Sequence, residues 1–379
     1  MSPVPENRAA DAGARPLRVA FFSDAFAERN GTGAYYHDLL PQLVPGLADL
    51  AMFQPSDQPP RPLLSIAMPG DPNQRLEGPP LRRIGTRMGE LQPEVVVVVT
   101  PGLYGLLGAW YARRRGLPLV AAFHTDFERL ARLYWPPLAR WLVNLVVGTA
   151  NRLICRRASR VLINNAGLTD AVRAYGAASV QVVGTPLPRA FLERPRRAIP
   201  GRLTRVCFAG RLAPEKNVDL VIEAARQLPD VEFVIGGEGP LREALEAQAA
   251  GLANVRFTGW LDRSALIDLI DSSSLLLLPS RFETFGSIAL EAMARGRPAL
   301  VSTAAGIHDW PSLRPGLVPF SPGESLADCL QSLQAYGPGR WELLERRCRA
   351  AAAALNGATI AEWQALLAAV AGNERRESA

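Results

Sequence analysis

The segment Pro279-Ser280-Arg281-Phe282-Glu283-Thr284-Phe285-Gly286-Ser287 carries the densest chemistry in the chain. An apolar run, 275–279, leads into it, and a helix-forming run, 287–295, leads away. Strand, loop and helix in that order form the junction at which open α/β sheets bind ligands. The first amides of such a helix have no internal partner and can hold a phosphate, and Gly286 lets the backbone approach closely. Glu283 stands in the loop, and Glu291 about one turn into the helix. Carboxylates so placed suit hydroxyls at the two ends of a ligand with phosphates between them, the layout of a nucleotide sugar. For an isolated acid pair the alternative is that both cap or solvate the helix; the surrounding segment argues against it.

A second junction of the same kind is Gly210-Arg211-Leu212-Ala213-Pro214-Glu215-Lys216-Asn217. Arg211 can grip phosphate oxygens through paired N–H bonds, and Lys216 adds a compact charge. Together they can offset the charge that builds on a departing diphosphate. Arginine outnumbers lysine 41 to 1, and Lys216 is that single lysine. Coding bias accounts for the arginine excess, so the one position that kept lysine asks for a chemical reason. Surface charge on a loop is the bland reading of this stretch taken alone.

Other signals are weaker. Gly31-Thr32-Gly33 is a fragment of a dinucleotide fingerprint, Gly236-Gly237-Glu238-Gly239 reads equally as a strand-to-helix turn, and Thr258 closes a strand whose backbone can address a base. His124, in Phe123-His124-Thr125-Asp126, follows an apolar strand, where a histidine serves either structure or catalysis. No trio of His, Cys or acidic residues has metal spacing and no Asp-X-Asp occurs, so no metal-bridged diphosphate and no cofactor is expected. The four cysteines read as core thiols of a reducing compartment.

Alternating elements position these residues. Strands are predicted at 17–22, 95–100, 118–123 and 160–164, and again at 205–209, 231–235, 255–258, 275–279 and 297–302. Helices are predicted at 34–43, 217–228, 241–248, 263–272, 287–295 and 341–370, while 53–80 is Pro-rich and stays unassigned. An α/β chain of 379 residues with two such series predicts two doubly wound domains facing one another. The divisions expected are a disordered leader (1–16), a first Rossmann-like domain (17–193), a linker (194–201), a second Rossmann-like domain (202–350) and a helical tail (351–379).

Charge divides along the same line. Residues 1–200 hold 24 arginines against 15 acids, a net +9, whereas the remainder is net −3. The N-terminus has no apolar signal core and no run reaches the length of a membrane span, which points to a cytoplasmic protein. No aromatic-basic module is present, so nucleic acid is not an expected partner.

These segments together resemble the retaining GT-B glycosyltransferases of glycosyltransferase family four, over roughly residues 17 to 370 and most densely from 205 to 310. The 283–291 segment is similar to that family's two-glutamate motif, and 210–217 to its diphosphate-binding loop. Phe123-His124-Thr125-Asp126-Phe127 is similar to members that glycosylate membrane lipids or lipid-linked glycans, often with mannose. The resemblance implies that Arg211 and Lys216 bind the donor diphosphate and Glu291 the ribose. It implies that Glu283 and His124 hold the transferred sugar, Glu283 by positioning rather than attack. It implies further donor contacts from Thr284, the amides of Phe285 and Gly286, Gly31, Gly33, Gly237 and Thr258. Asp24 and Asp126 fall on its acceptor side, and its closing helix, around 360–363, crosses back to the first domain. Departures lie at Ser302–Asp309, with Ala305, His308 and Asp309 where the family often has Gly, Pro and Glu, and at 184–188, which lacks an acidic turn.

The acceptor must be sought in the basic half. Residues 128–160 mix Leu130, Leu133, Tyr134, Trp135, Trp141, Leu142 and Leu145 with seven arginines, which suits peripheral contact with an anionic membrane at the inner face of the plasma membrane. The alternative is a pair of core-packed helices with arginine on the solvent side. Three readings stand: hexose transfer from a nucleotide diphospho-sugar to a lipid or lipid-linked acceptor, the same transfer to a soluble metabolite or glycan, or a non-catalytic sugar-nucleotide binder.

Overall fold

The computed structural model describes residues 15–27, 31–56, 65–68, 71–124 and 137–377. Most of the leader expected at 1–16 lies outside them. Among the described residues two six-stranded parallel sheets carry the fold.

The first half runs β1 (Leu17–Phe22), α1 (Gly31–Leu43), β2 (Leu47–Phe53), β3 (Ser65–Met68), β4 (Asp71–Glu77), α2 (Leu81–Leu91), β5 (Val95–Val98), α3 (Leu103–Arg115), β6 (Leu119–Phe123), α4 (Pro137–Cys155), β7 (Arg160–Ile163), α5 (Thr169–Ala174), β8 (Val180–Val182) and α6 (Arg189–Glu193). Its sheet order is β2-β1-β5-β6-β7-β8, and β3 and β4 form a separate antiparallel pair inside the stretch the sequence left unassigned. The second half runs β9 (Arg205–Ala209), α7 (Asp219–Gln227), β10 (Glu232–Gly236), α8 (Arg242–Gln248), β11 (Val255–Gly259), α9 (Arg263–Asp271), β12 (Leu275–Leu278), α10 (Ser287–Ala294), β13 (Ala299–Ser302), β14 (Leu317–Phe320), α11 (Leu326–Gln334) and α12 (Pro338–Glu377). Its order is β11-β10-β9-β12-β13-β14, with reversal between β9 and β12.

The central strands are read correctly from sequence because both their faces are buried, so they are continuous apolar runs: VVVV in β5 and LLLL in β12 are buried at every position. The edge strands β2, β8 and β14 escape that signal. Each pairs on one side only, and β14 even carries Pro319, which an edge tolerates. One boundary moves with consequence. Helix α1 begins at Gly31, not at 34, so Gly31 and Gly33 lie in its first turn. Gly33 is pressed against the preceding loop so closely that a Cβ would stand 1.9 Å from the Phe26 carbonyl oxygen.

Helix α12 ties the halves together. Its Trp341, Cys348, Ala352 and Leu355 are buried against the second sheet, and its Trp363, Leu366, Leu367 and Val370 against the first. Trp363 Nε1 donates to the Tyr35 hydroxyl (3.0 Å), which donates to the Gly184 carbonyl (2.9 Å). The first sheet ends at Val182 and the second begins at Arg205, so the expected linker at 194–201 runs between them.

Two arginines with no exposed surface, Arg295 and Arg297, clamp that connection onto the second domain. Arg295 pairs with Asp271 (2.6 Å) and donates to the carbonyls of Phe191, Arg194 and Pro195. Arg297 donates to the carbonyls of Arg197, Ala198, Asp271 and Ser273. Five connecting-segment carbonyls thereby find donors on two side chains that are themselves fully buried. Arg295→Ala leaves the Asp271 carboxylate buried without its partner. It is expected to destabilise the second domain by about 3–5 kcal/mol, read as a lowered urea midpoint.

Candidate active site

Parallel strands β9 and β12 are hydrogen-bonded neighbours although about 70 residues separate them in the chain. The two motif loops therefore leave adjacent strand ends at the reversal point, where a crevice opens. Three contacts stitch them together. Asn217 adopts a left-handed conformation (φ 58°), which asparagine tolerates better than most residues. Its amide donates to the Pro279 carbonyl (3.3 Å) and accepts from Arg281 Nε (2.7 Å), while the Arg281 N–H donates to the Glu215 carbonyl (2.8 Å).

Across this seam Lys216 Nζ forms an ion pair with Glu283 Oε2. Ser280 Oγ also faces that oxygen (3.4 Å). The two residues assigned from sequence to different parts of the ligand are thus in contact. Arg211 is half-buried at the start of the same loop. Glycines let the strand ends close on one another. Gly237 (φ 128°) lies against Gly210, whose carbonyl oxygen a Cβ would meet at 1.8 Å, and donates its N–H to the Gly259 carbonyl (2.7 Å). Thr258, half-buried, precedes that contact at the end of β11. Gly286 (φ 104°) stands before α10, and no side chain caps this helix. The first amides of such a helix lack intrahelical partners and suit an anion. Phe285 is buried, and Thr284 half-buried.

Glu291 is held well above the ordinary carboxylate range, at about 8, first by burial and then by the nearby Asp38 charge, with Arg263 opposing. Asp38 comes from α1 in the other domain and pairs with Arg263 at the start of α9 (2.7 Å). Burial raises the Asp38 carboxyl too, against the pull of Arg263. An ion pair across the cleft therefore stands beside the residue expected to bind ribose.

His124 leaves β6 and packs against both Tyr35 and Tyr36 (ring centroids 4.5 and 5.6 Å), which also touch one another (4.9 Å). Its Nε2 meets the Tyr36 hydroxyl at 2.9 Å, and its buried Nδ1 has no partner among the described residues. Burial lowers its pKa to about 4, so the ring is neutral near pH 7. No hydrogen bond joins His124 to Glu283 among the described residues. Asp24, expected to face the acceptor, has both oxygens engaged: it accepts from the Thr100 hydroxyl and from the N–H groups of Gly102, Tyr104 and Gly105. It organises the start of α3 rather than presenting a free carboxylate. Asp126 lies outside the described residues. Gly31 and Gly33 sit at the start of α1, the helix that carries Asp38.

Asp38, Arg263 and Asn165, the last reaching from the first domain to the Thr284 carbonyl (2.9 Å), are not singled out by the sequence. Only Asn165 had a local signal, as an asparagine at a helix start, where it caps Gly167. The others act through partners distant in the chain.

Residues 29–189 match the family described as Glycosyltransferase Family 4, and residues 191–310 match Glycosyl transferases group 1. The chain is 31% identical over 294 residues to a GDP-mannose-dependent alpha-(1-6)-phosphatidylinositol dimannoside mannosyltransferase of Mycobacterium tuberculosis, covering 74% of this chain and 73% of that protein. It is 34% identical over 236 residues to a GDP-mannose-dependent alpha-mannosyltransferase of Mycolicibacterium smegmatis, covering 60% of each. In fold it is similar to a sucrose-phosphate synthase from Thermosynechococcus elongatus, with a TM-score of 0.72, 18% identity and coverage of 92% and 97%.

The raised Glu291 pKa has a consequence for stability. Between its ordinary value of 4.5 and about 8 the folded chain keeps a proton that the unfolded chain releases, so stability falls as pH rises through that window. Glu291→Gln fixes the neutral form. Its melting temperature is expected to exceed that of the wild type by more at about pH 8.5 than at about pH 5. An equal difference at both values would show that Glu291 ionises normally.

Proposed function

The chain belongs to glycosyltransferase family 4, and we propose that it transfers mannose from GDP-mannose to a lipid or lipid-linked acceptor, with retention of configuration and without a metal ion. The observation that carries this reading is the convergence of the two motif loops on adjacent strands, which brings Lys216 against Glu283. The choice of mannose and of guanine is supported by the GDP-mannose-dependent relatives.

The diphosphate would lie over the free amides before α10, with Arg211 and Lys216 meeting its charge. As the bond from sugar C1 to the phosphate oxygen breaks, negative charge grows on the leaving diphosphate, and these two cations stabilise it in place of a metal. The acceptor oxygen would bond to C1 on the same face while its proton passes to the leaving phosphate oxygen. Glu283 is engaged by Lys216 and faced by Ser280, which suits holding sugar hydroxyls better than attacking C1. His124 would offer its unpartnered Nδ1 to the sugar as a neutral group. Glu291 would bind the ribose hydroxyls.

The acceptor side is supported by α4. Leu138, Trp141, Leu145, Val146 and Leu153 recur along it at helical spacing and are exposed, Leu138 at 79%. Arg152, Arg156 and Arg157 gather at its end, and no carboxylate pairs with them among the described residues. No described helix is long and apolar enough to cross a membrane. An apolar, cation-flanked helix of this kind lies in the plane of an anionic membrane, where a lipid acceptor is found.

Lys216→Ala and Glu283→Ala are each expected to lower mannosyl transfer by about 100-fold or more in an assay across a panel of nucleotide sugars. Undiminished turnover in both would overturn the site. Co-sedimentation with phosphatidylglycerol-containing vesicles is expected to drop by about tenfold in the Leu138→Gln, Trp141→Gln double variant. Equal recovery of wild type with neutral and anionic vesicles would rule out the membrane contact.

A further inference from the structure

The loop that carries Glu283 is held from two sides by two different domains. On one edge, the Glu283 carbonyl accepts from the Gly306 N–H (3.0 Å) and the Phe285 carbonyl from the Ile307 N–H (2.8 Å), both within the second domain. The Thr284 carbonyl, between these two, takes no bond from that edge and is turned toward the first domain. There it meets Asn165 Nδ2 at 2.9 Å, a side chain of the first domain that follows β7. Asn165 is itself immobilised, because its Oδ1 accepts from the Gly167 N–H (2.7 Å) and leaves only the amide nitrogen to reach outward. A second bond joins the same segments: Trp310 Nε1 donates to the Asn164 carbonyl (3.2 Å), and the Trp310 ring lies edge-on to buried Phe285. Gly306 makes room for this arrangement. A Cβ there would stand 2.1 Å from Asn165 Nδ2 and 2.1 Å from the Thr284 oxygen.

From this geometry we infer that Asn165 is a positioning residue of the acceptor domain that sets the Glu283 loop for transfer when the two domains are together. The peptide between Thr284 and Phe285 is planar and trans, so anchoring its oxygen also fixes the opposite direction of the Phe285 N–H. That N–H has no acceptor among the described residues and is one of the two amides expected at the donor. Closure of the cleft thereby becomes a condition for aiming the loop. When the domains part, the Thr284 carbonyl turns to water and the peptide is free to rotate. The donor can still bind, through Arg211, Lys216 and Glu291 on the second domain, but the reacting geometry is not completed.

This inference rests on the transferase reading, and substitutions on both sides of the contact test it. Asn165→Asp keeps an oxygen for the Gly167 N–H and loses the donor to Thr284. Gly306→Ala drives a methyl between the partners from the other domain. Both are expected to lower kcat by about tenfold or more, as misplaced reacting groups do, with donor KM within about threefold of wild type. The melting temperature of Asn165→Asp should match that of wild type, because the cap is retained. Wild-type kcat in Asn165→Asp would overturn the inference, as would a loss of activity matched by a loss of stability. If the wild-type chain transfers no sugar from any nucleotide sugar, the transferase reading fails instead. Hydrogen exchange of the 283–286 amides then decides: faster exchange in Asn165→Asp upholds the hook, and unchanged exchange sinks it.

Discussion

Parallel strands cannot be joined by tight turns, so each connection crosses over one face of the sheet, and where the crossovers change direction a crevice is left uncovered. In the second domain that place lies between β9 and β12. Everything chemical about this chain depends on it. Arg211 and Lys216 leave one strand, Glu283 and Glu291 follow the other, and the Asn217 and Arg281 contacts hold the two loops in fixed register. Gly237 matters for the same reason, because its backbone lies too close to that of Gly210 to admit a side chain, and Gly286 supplies the left-handed turn (φ 104°) from which α10 starts.

The second domain holds its own loops, and the first domain reaches one of them through Asn165. Helix α12 buries residues against both sheets, and the buried Arg295 and Arg297 make the connecting segment part of the second domain. Before that segment, Gly184 and Leu187 lie where α1 and α12 grip the chain. Tyr35 donates to the Gly184 carbonyl, and Asn356 accepts from the Leu187 N–H. Against this frame the polar cross-cleft contacts, Asp38 with Arg263 and Asn165 with Thr284, are the ones an opening would break first. Polar contacts exchange readily with water, whereas the apolar packing of α12 does not.

Burial also sets the charge state of the cleft. Lys216 and Glu283 neutralise one another, Asp38 and Arg263 do likewise, and Glu291, left over, is driven toward its neutral form. The neutral His124 fits the same pattern of a desolvated pocket that holds hydrogen-bonding groups rather than free charges.

The amino-acid pattern by itself determined the two α/β series, the buried central strands, the two strand-to-helix junctions and the place of the single lysine at one of them. Those features are local: a strand buried on both faces is apolar at every position, and a glycine or a helix start is read within a few residues. The family resemblance rested on the same segments. Edge strands β2, β8 and β14 escape the pattern because one-sided pairing relaxes their composition, and the hydrogen bonds that engage the Asp24 carboxylate are invisible in it because they come from residues some 76 to 81 positions away. Only the tertiary structure decided that Lys216 touches Glu283, that Asp38 and Arg263 reach across the cleft beside Glu291, and that Asn165 holds the glutamate loop. Each of these joins residues far apart in the chain, and their meeting depends on crossover direction and domain docking, which no local period encodes.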